Sequence, residues 1–139
     1  VLIESRPALD PELAALVTAQ QRETAEAGAG ADAIFEPHDD VAYLIGVVNG
    51  RAVACAGWRA RERGAAELLR LYVRPAHRGR GLARQLIVAV EEEALAAGRP
   101  VIRWETALPA AIALCQSSGY RQLPGAAGRF EKRLPALVQ

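Results

Sequence analysis

Arg78, Gly79, Arg80 and Gly81 lie between a strand-like apolar run and a helix start, in the stretch RLYVRPAHRGRGLA over residues 70–83. A glycine-rich turn that opens a helix is an anion site, because the first-turn N–H groups have no intrahelical partner and the helix dipole favours negative charge there. Gly79 and Gly81 let the backbone approach a ligand closely, and Arg78, Arg80 and Arg84 can add paired hydrogen bonds to phosphate oxygens. The same residues also read as a tight connection kept soluble by its arginines. The P-loop pattern fails, since no lysine with Ser or Thr opens the helix, and the dinucleotide pattern fails on spacing and on its missing acidic ribose reader. Nucleic-acid binding is not expected, because the basic cluster is small and lacks interleaved aromatics.

Glu67 stands near the start of the strand that leads to this turn, alone among apolar residues and arginines. By its surroundings it reads as an edge-of-strand glutamate paired with an arginine. The densest acidic cluster is EPHDD, residues 36–40, which would draw a cation or simply face water. No metal is expected from His38, Asp39 and Asp40, whose neighbours suggest a loop without defined coordination geometry. Cys55 and Cys115 are too few for a disulfide framework and suit a reduced compartment. Trp58 and Trp104 fall on predicted strands as core or pocket-wall residues, and Glu91, Glu92 and Glu93 read as a partly solvated helix face.

The elements that must position these residues follow from pattern and punctuation. A strand over 1–5 precedes a helix from Asp10-Pro11, an N-cap and first-turn proline, to about Glu26. Residues 27–40 lack periodicity and read as a loop or broken helix. Runs 41–48 and 52–59 meet at Asn49-Gly50, a hairpin signal, and a third strand over 66–73 extends the meander until Pro75. Ala83, Leu86, Ile87, Val90 and Ala94 recur with helical period over 82–97, and Gly98 sits at the C-cap. A strand over 101–106, a short helix over 109–118 and a strand pair near 120–123 and 129–134 complete the chain. The order is mixed α/β, and the strands flanking the long helix should be parallel neighbours joined by its crossover.

The 139 residues, 51% of them hydrophobic, suit one domain over 1–139 with a single core. Net charge is only +1, so no global field points to nucleic acid or to a membrane surface. No uninterrupted apolar stretch approaches the roughly 20 residues that span a bilayer. The chain therefore reads as cytoplasmic, and nothing in it sets an oligomeric state.

The run ELLRLYVRPAHRGRGLARQLIVAVEEEA, residues 67–94, resembles the coenzyme A segment of the GNAT superfamily of acyl-CoA N-acyltransferases. The family signature Arg/Gln-x-x-Gly-x-Gly/Ala falls on Arg78, Gly81 and Ala83, and AAIALCQSSGY, residues 110–120, is similar to the second conserved segment. The resemblance implies a mostly antiparallel sheet with helices on both faces and a central parallel pair splayed to admit coenzyme A. Pantetheine would pair with the backbone of Leu71, Tyr72 and Val73, and the diphosphate would sit on the N–H groups of Arg78, Gly79, Arg80, Gly81, Leu82 and Ala83.

The implied reaction moves an acetyl or short acyl group from acetyl-CoA, as cosubstrate and without a metal, to a primary amine. Glu67 takes the place of the general base, and an N–H of Leu71 or Val73 that of the oxyanion donor. Relatives often carry a tyrosine as general acid where this chain has Cys115, which would serve as that acid or fill space on a buried helix face; Tyr120, Tyr72 and water are the alternatives. That departure leaves open an acyl-CoA-binding sensor of the same fold without turnover. The acceptor side would draw on Glu23, Glu26, Glu36, His38, Asp39, Asp40 and Glu105.

Overall fold

The computed structural model describes residues 1–27 and 40–135. Strand β1 (Leu2–Arg6) leads to helix α1 (Pro11–Glu26), whose N-cap Asp10 accepts from the Leu13 N–H at 3.0 Å, with Pro11 in the first turn where its missing N–H costs nothing. Strands β2 (Ala42–Val48) and β3 (Arg51–Ala60) are joined at Asn49 and Gly50, which take φ of 51° and 77°. Two residues with positive φ make the turn whose twist matches a hairpin. Strand β4 (Ala65–Val73), a one-turn 3-10 helix (Pro75–His77) and helix α2 (Leu82–Ala96) follow, then β5 (Val101–Glu105), α3 (Pro109–Ser117), β6 (Arg121–Gln122) and β7 (Arg129–Arg133).

The strands form one sheet in the order β1-β2-β3-β4-β5-β7-β6, antiparallel throughout except for the parallel pair β4–β5. Helix α1 covers one face through Leu13, Leu16 and Val17, packed on Tyr43, Ile45, Cys55 and Tyr72. Helices α2 and α3 cover the other, where Leu86, Ile87, Val90 and Cys115 meet Leu68, Ile102, Trp104 and Phe130. The two apolar layers are the main source of stability, each buried side chain contributing roughly 1.5–3 kcal/mol of transfer free energy.

Two local features shape the centre of the sheet. Parallel pairing runs from Ala65 opposite Val101 to Leu68 opposite Trp104 and stops, while β4 continues to Val73. Between the pairs Gly57–Leu69 and Cys55–Tyr72, β4 has one more residue than β3, a bulge carried by Arg70 at φ 55°. The bulge reverses the alternation, so that Ala66, Leu68, Leu71 and Val73 all meet the α2 layer while Tyr72 meets the α1 layer. Arg70 is buried at 4% exposure, with its guanidinium donating to the Tyr43 hydroxyl and its carbonyl accepting from Cys55 Sγ.

The expected partly solvated face Glu91–Glu93 is corrected by the structure at Glu91. Glu91 is buried and accepts from the Tyr120 hydroxyl at 2.8 Å and from Lys132 Nζ at 3.0 Å, while Glu93 accepts from Trp58 Nε1 at 2.9 Å. Helical spacing turns Glu91 inward beside Ile87, Val90 and Ala94, while Glu92 is exposed and Glu93 half-buried. Segment 28–39, including Glu36, His38 and Asp39, lies outside the described residues. Among the described residues, no helix is long and apolar enough to cross a membrane.

Candidate active site

The unpaired edge of β4 runs directly into the glycine turn. Gly79 and Gly81 have φ of 78° and 80°, a region that L side chains avoid, and a Cβ on either would meet nothing within 4 Å. Gly81 is the N-cap of α2 and supplies no side-chain hydrogen bond, so the first-turn N–H groups of that helix lack a side-chain cap. The Arg78 N–H, expected in the anion site, donates instead to the Pro75 carbonyl at 3.3 Å, so the stretch with donors and room for a diphosphate is Gly79 to Ala83.

The guanidinium groups are deployed differently from the sequence expectation. Arg78 donates to the Val73 carbonyl at 2.8 Å and to Glu23 Oε2 at 2.6 Å, and lies over the Tyr72 ring at 5.5 Å, so it clamps the end of β4 to α1. Arg84 donates to the Ser117 carbonyl and hydroxyl at 3.2 and 3.1 Å, tying α2 to the end of α3. Arg80 is exposed and, among the described residues, has no partner. The same clamp occupies the Val73 carbonyl, while Leu71 and Tyr72 belong to the stretch of β4 beyond its parallel partner.

On the α1 face of the sheet, just below the point where β4 and β5 part, lies a pocket of about 200 Å³ whose lining includes Arg61, Glu67, Arg103, Trp104, Glu105 and Arg129. Strand register places Arg59, Glu67 and Arg103 in one row. Arg59 Nε donates to Glu67 Oε1 at 2.7 Å and Arg61 Nε stands 3.7 Å from the same oxygen, leaving Oε2 without a partner among the described residues. Arg103 bonds Glu131 at 3.1 Å and forms a close ion pair with Glu62, whose carboxyl it holds below the usual range. Glu105 and Arg129 approach only to 3.6 Å.

Glu67 thus lines the pocket, both paired with an arginine and able to accept through its second oxygen. Cys115 is wholly buried in the α2–α3 layer, and burial pushes its thiol up to about 12. A thiol held so far above the ordinary value of about 8.5 is a poor proton donor to another thiolate. Tyr120 is also buried, edge-on to Trp104, with its hydroxyl committed to Glu91; burial and that carboxylate raise its pKa. Tyr72 lies in the α1 layer. Of the acidic acceptor-side residues, Glu105 lines the pocket and Glu23 is held by Arg78.

Sequence reasoning passed over Arg59, Arg61, Arg103 and Arg129. Their signal was the spacing of two in Arg59/Arg61, Arg103/Glu105 and Arg129/Glu131, which marks one charged face across three strands. Among the described residues no group of His, Cys, Asp and Glu could hold a metal ion.

A sequence model described as the acetyltransferase (GNAT) family matches residues 11–120. A Klebsiella pneumoniae protein assigned as an acyl-CoA N-acyltransferase superimposes with TM-score 0.79 at 30% identity, covering 96% of this chain and 97% of that one. A ribosomal-protein-alanine N-acetyltransferase from Brucella melitensis gives 0.72 at 22% identity, covering 96% and 100%. A PaiA N-acetyltransferase from Thermoplasma acidophilum, solved with coenzyme A, gives 0.73 at 15% identity, covering 96% and 99%. No curated protein sequence matches the chain.

Proposed function

The chain belongs to the acetyltransferase (GNAT) family, and from that premise we propose that it transfers an acetyl or other short acyl group from its coenzyme A thioester directly to a primary amine. The observation that carries this reading is the parting of β4 and β5 after Leu68 and Trp104, where the free edge of β4 leads into the Gly79–Gly81 turn on one side and Glu67 faces a pocket on the other. In this reading the diphosphate rests on the N–H groups of Gly79 to Ala83 and pantetheine follows β4 past Leu71 and Tyr72.

The amine nitrogen attacks the thioester carbonyl carbon from the pocket, and its proton passes to Glu67 Oε2. The developing oxyanion is met by an N–H of the bulged strand at Leu71 or Val73, and the carbon–sulfur bond breaks. Solvent returns a proton to the departing thiolate, because Cys115 is buried with its thiol pushed up and the buried Tyr120 hydroxyl is committed to Glu91; Cys115 has a packing role. The engagement of Glu67 by Arg59 favours a second reading, an acyl-CoA-binding sensor without turnover. Thiol release from acetyl-CoA across a panel of amines separates the two: the transferase reading predicts release that depends on amine, and the sensor reading predicts tight binding with none.

A further inference from the structure

We propose that the acceptor is a small amine that also carries a carboxylate, an α-amino acid by chemical class, with its amine at Glu67 and its carboxylate on Arg61. This rests on the transferase reading and adds the substrate class to it. The arginines around the pocket are unequally engaged. Arg59 is bonded to Glu67 at 2.7 Å, and Arg103 is bonded to Glu131 and Glu62. Arg61 and Arg129 instead approach carboxylates only to 3.7 and 3.6 Å, and among the described residues their side chains make no hydrogen bond.

A guanidinium presents five donors in a planar fork that matches a carboxylate. Arg61 and Arg129 are 49% and 62% exposed at the side chain and both line the pocket, so their forks are available to a ligand within it. Arg61 Nε and Glu67 Oε1 are near neighbours at 3.7 Å. The carboxylate whose second oxygen, Oε2, takes the amine thus has an anion-accepting fork beside it, an arrangement that fits an amine and a carboxylate borne on one carbon. The volume of about 200 Å³, with Trp104 and Phe130 in the wall, suits a compact ligand. A long polyamine or a polycationic sugar would instead set several positive charges against Arg61 and Arg129.

The test uses the intact protein with acetyl-CoA and a panel of amino acids, each paired with its own amide, together with spermidine and an aminoglycoside. The best amino acid should exceed its amide in kcat/KM by roughly 10- to 100-fold, the scale of a charge-assisted pair. Arg61→Gln should remove most of that gap while coenzyme A affinity, measured by calorimetry, stays intact. Amides or polycations used as well as amino acids would overturn the proposal, as would a gap that persists in both Arg61→Gln and Arg129→Gln. If no amine is acetylated although coenzyme A binds, the transferase reading fails, and titration of N-acetyl amino acids against their amides still decides the carboxylate site. Binding of the acids alone, lost in Arg61→Gln, would uphold it; equal binding, or none, would sink it.

Discussion

Arg59 and Glu67 face each other across β3 and β4, and the arginine takes one carboxylate oxygen, Oε1, at 2.7 Å. The pair holds the side chain of Glu67 in place in the pocket wall while Oε2 makes no hydrogen bond among the described residues. A positioned carboxylate with one uncommitted oxygen is what proton acceptance from an amine requires, and an arginine partner does not by itself make the glutamate structural.

Glu67→Gln separates basicity from shape, because the amide oxygen can keep the bond to Arg59. Turnover near neutral pH should fall by about 100-fold or more and recover in part as rising pH deprotonates more amine, with coenzyme affinity unchanged. A pH–rate profile checks this. A change confined to KM for the amine would make Glu67 a cation-binding residue instead.

Gly81→Val tests the anion turn. A Cβ there meets no neighbour, so the free protein should fold, less stable by roughly 1–2 kcal/mol for a branched residue at φ 80°. Coenzyme A affinity, read by calorimetry, should fall by at least about tenfold as the side chain enters the diphosphate's space. Equal affinity in a folded variant would move the phosphate site elsewhere.

Cys115→Ala should keep most turnover and lose roughly 1–2 kcal/mol of stability through the cavity left in the α2–α3 layer. Loss of turnover by more than about 100-fold with coenzyme affinity intact would assign Cys115 the acid role.

Burial pushes the thiols of Cys55 and Cys115 up to about 12, so the folded state keeps protons that the unfolded chain sheds earlier. Their contribution is complete below the ordinary thiol pKa and is lost as pH rises from there toward 12. The urea midpoint should drop between about pH 8 and pH 10.5, and by less in Cys115→Ala. A drop of the same size in that variant would assign the alkaline loss to other groups.

The element boundaries were legible because local chemistry sets them: Asp10-Pro11 starts α1, Asn49-Gly50 turns β2 into β3, and Gly98 follows α2. The glycine turn was legible for the same reason, since positive φ at Gly79 and Gly81 is a property of the residue. What depended on long-range placement was not. Arginine gives no sign that it will take φ 55° in a bulge, and Arg70 does so with its head group buried against Tyr43. Arg78 turns from the glycine turn to Glu23 because of where α1 lies, and the partners that let Glu91 stay buried, Tyr120 and Lys132, arrive from the distant end of the chain. Whether Glu67 met an arginine was open in the sequence; the β3–β4 register supplies Arg59.

The most direct test of the account is a single-turnover experiment with isotopically labelled acetyl-CoA and a reactive amine, followed by mass spectrometry of amine and protein together. Direct transfer from a free β4 edge to an amine at Glu67 predicts that label appears on the amine nitrogen as thiol is released, that none accumulates on the protein, and that Glu67→Gln slows the step. Thiol release without labelled amine, label trapped on Cys115, or coenzyme binding with no transfer to any amine would contradict it.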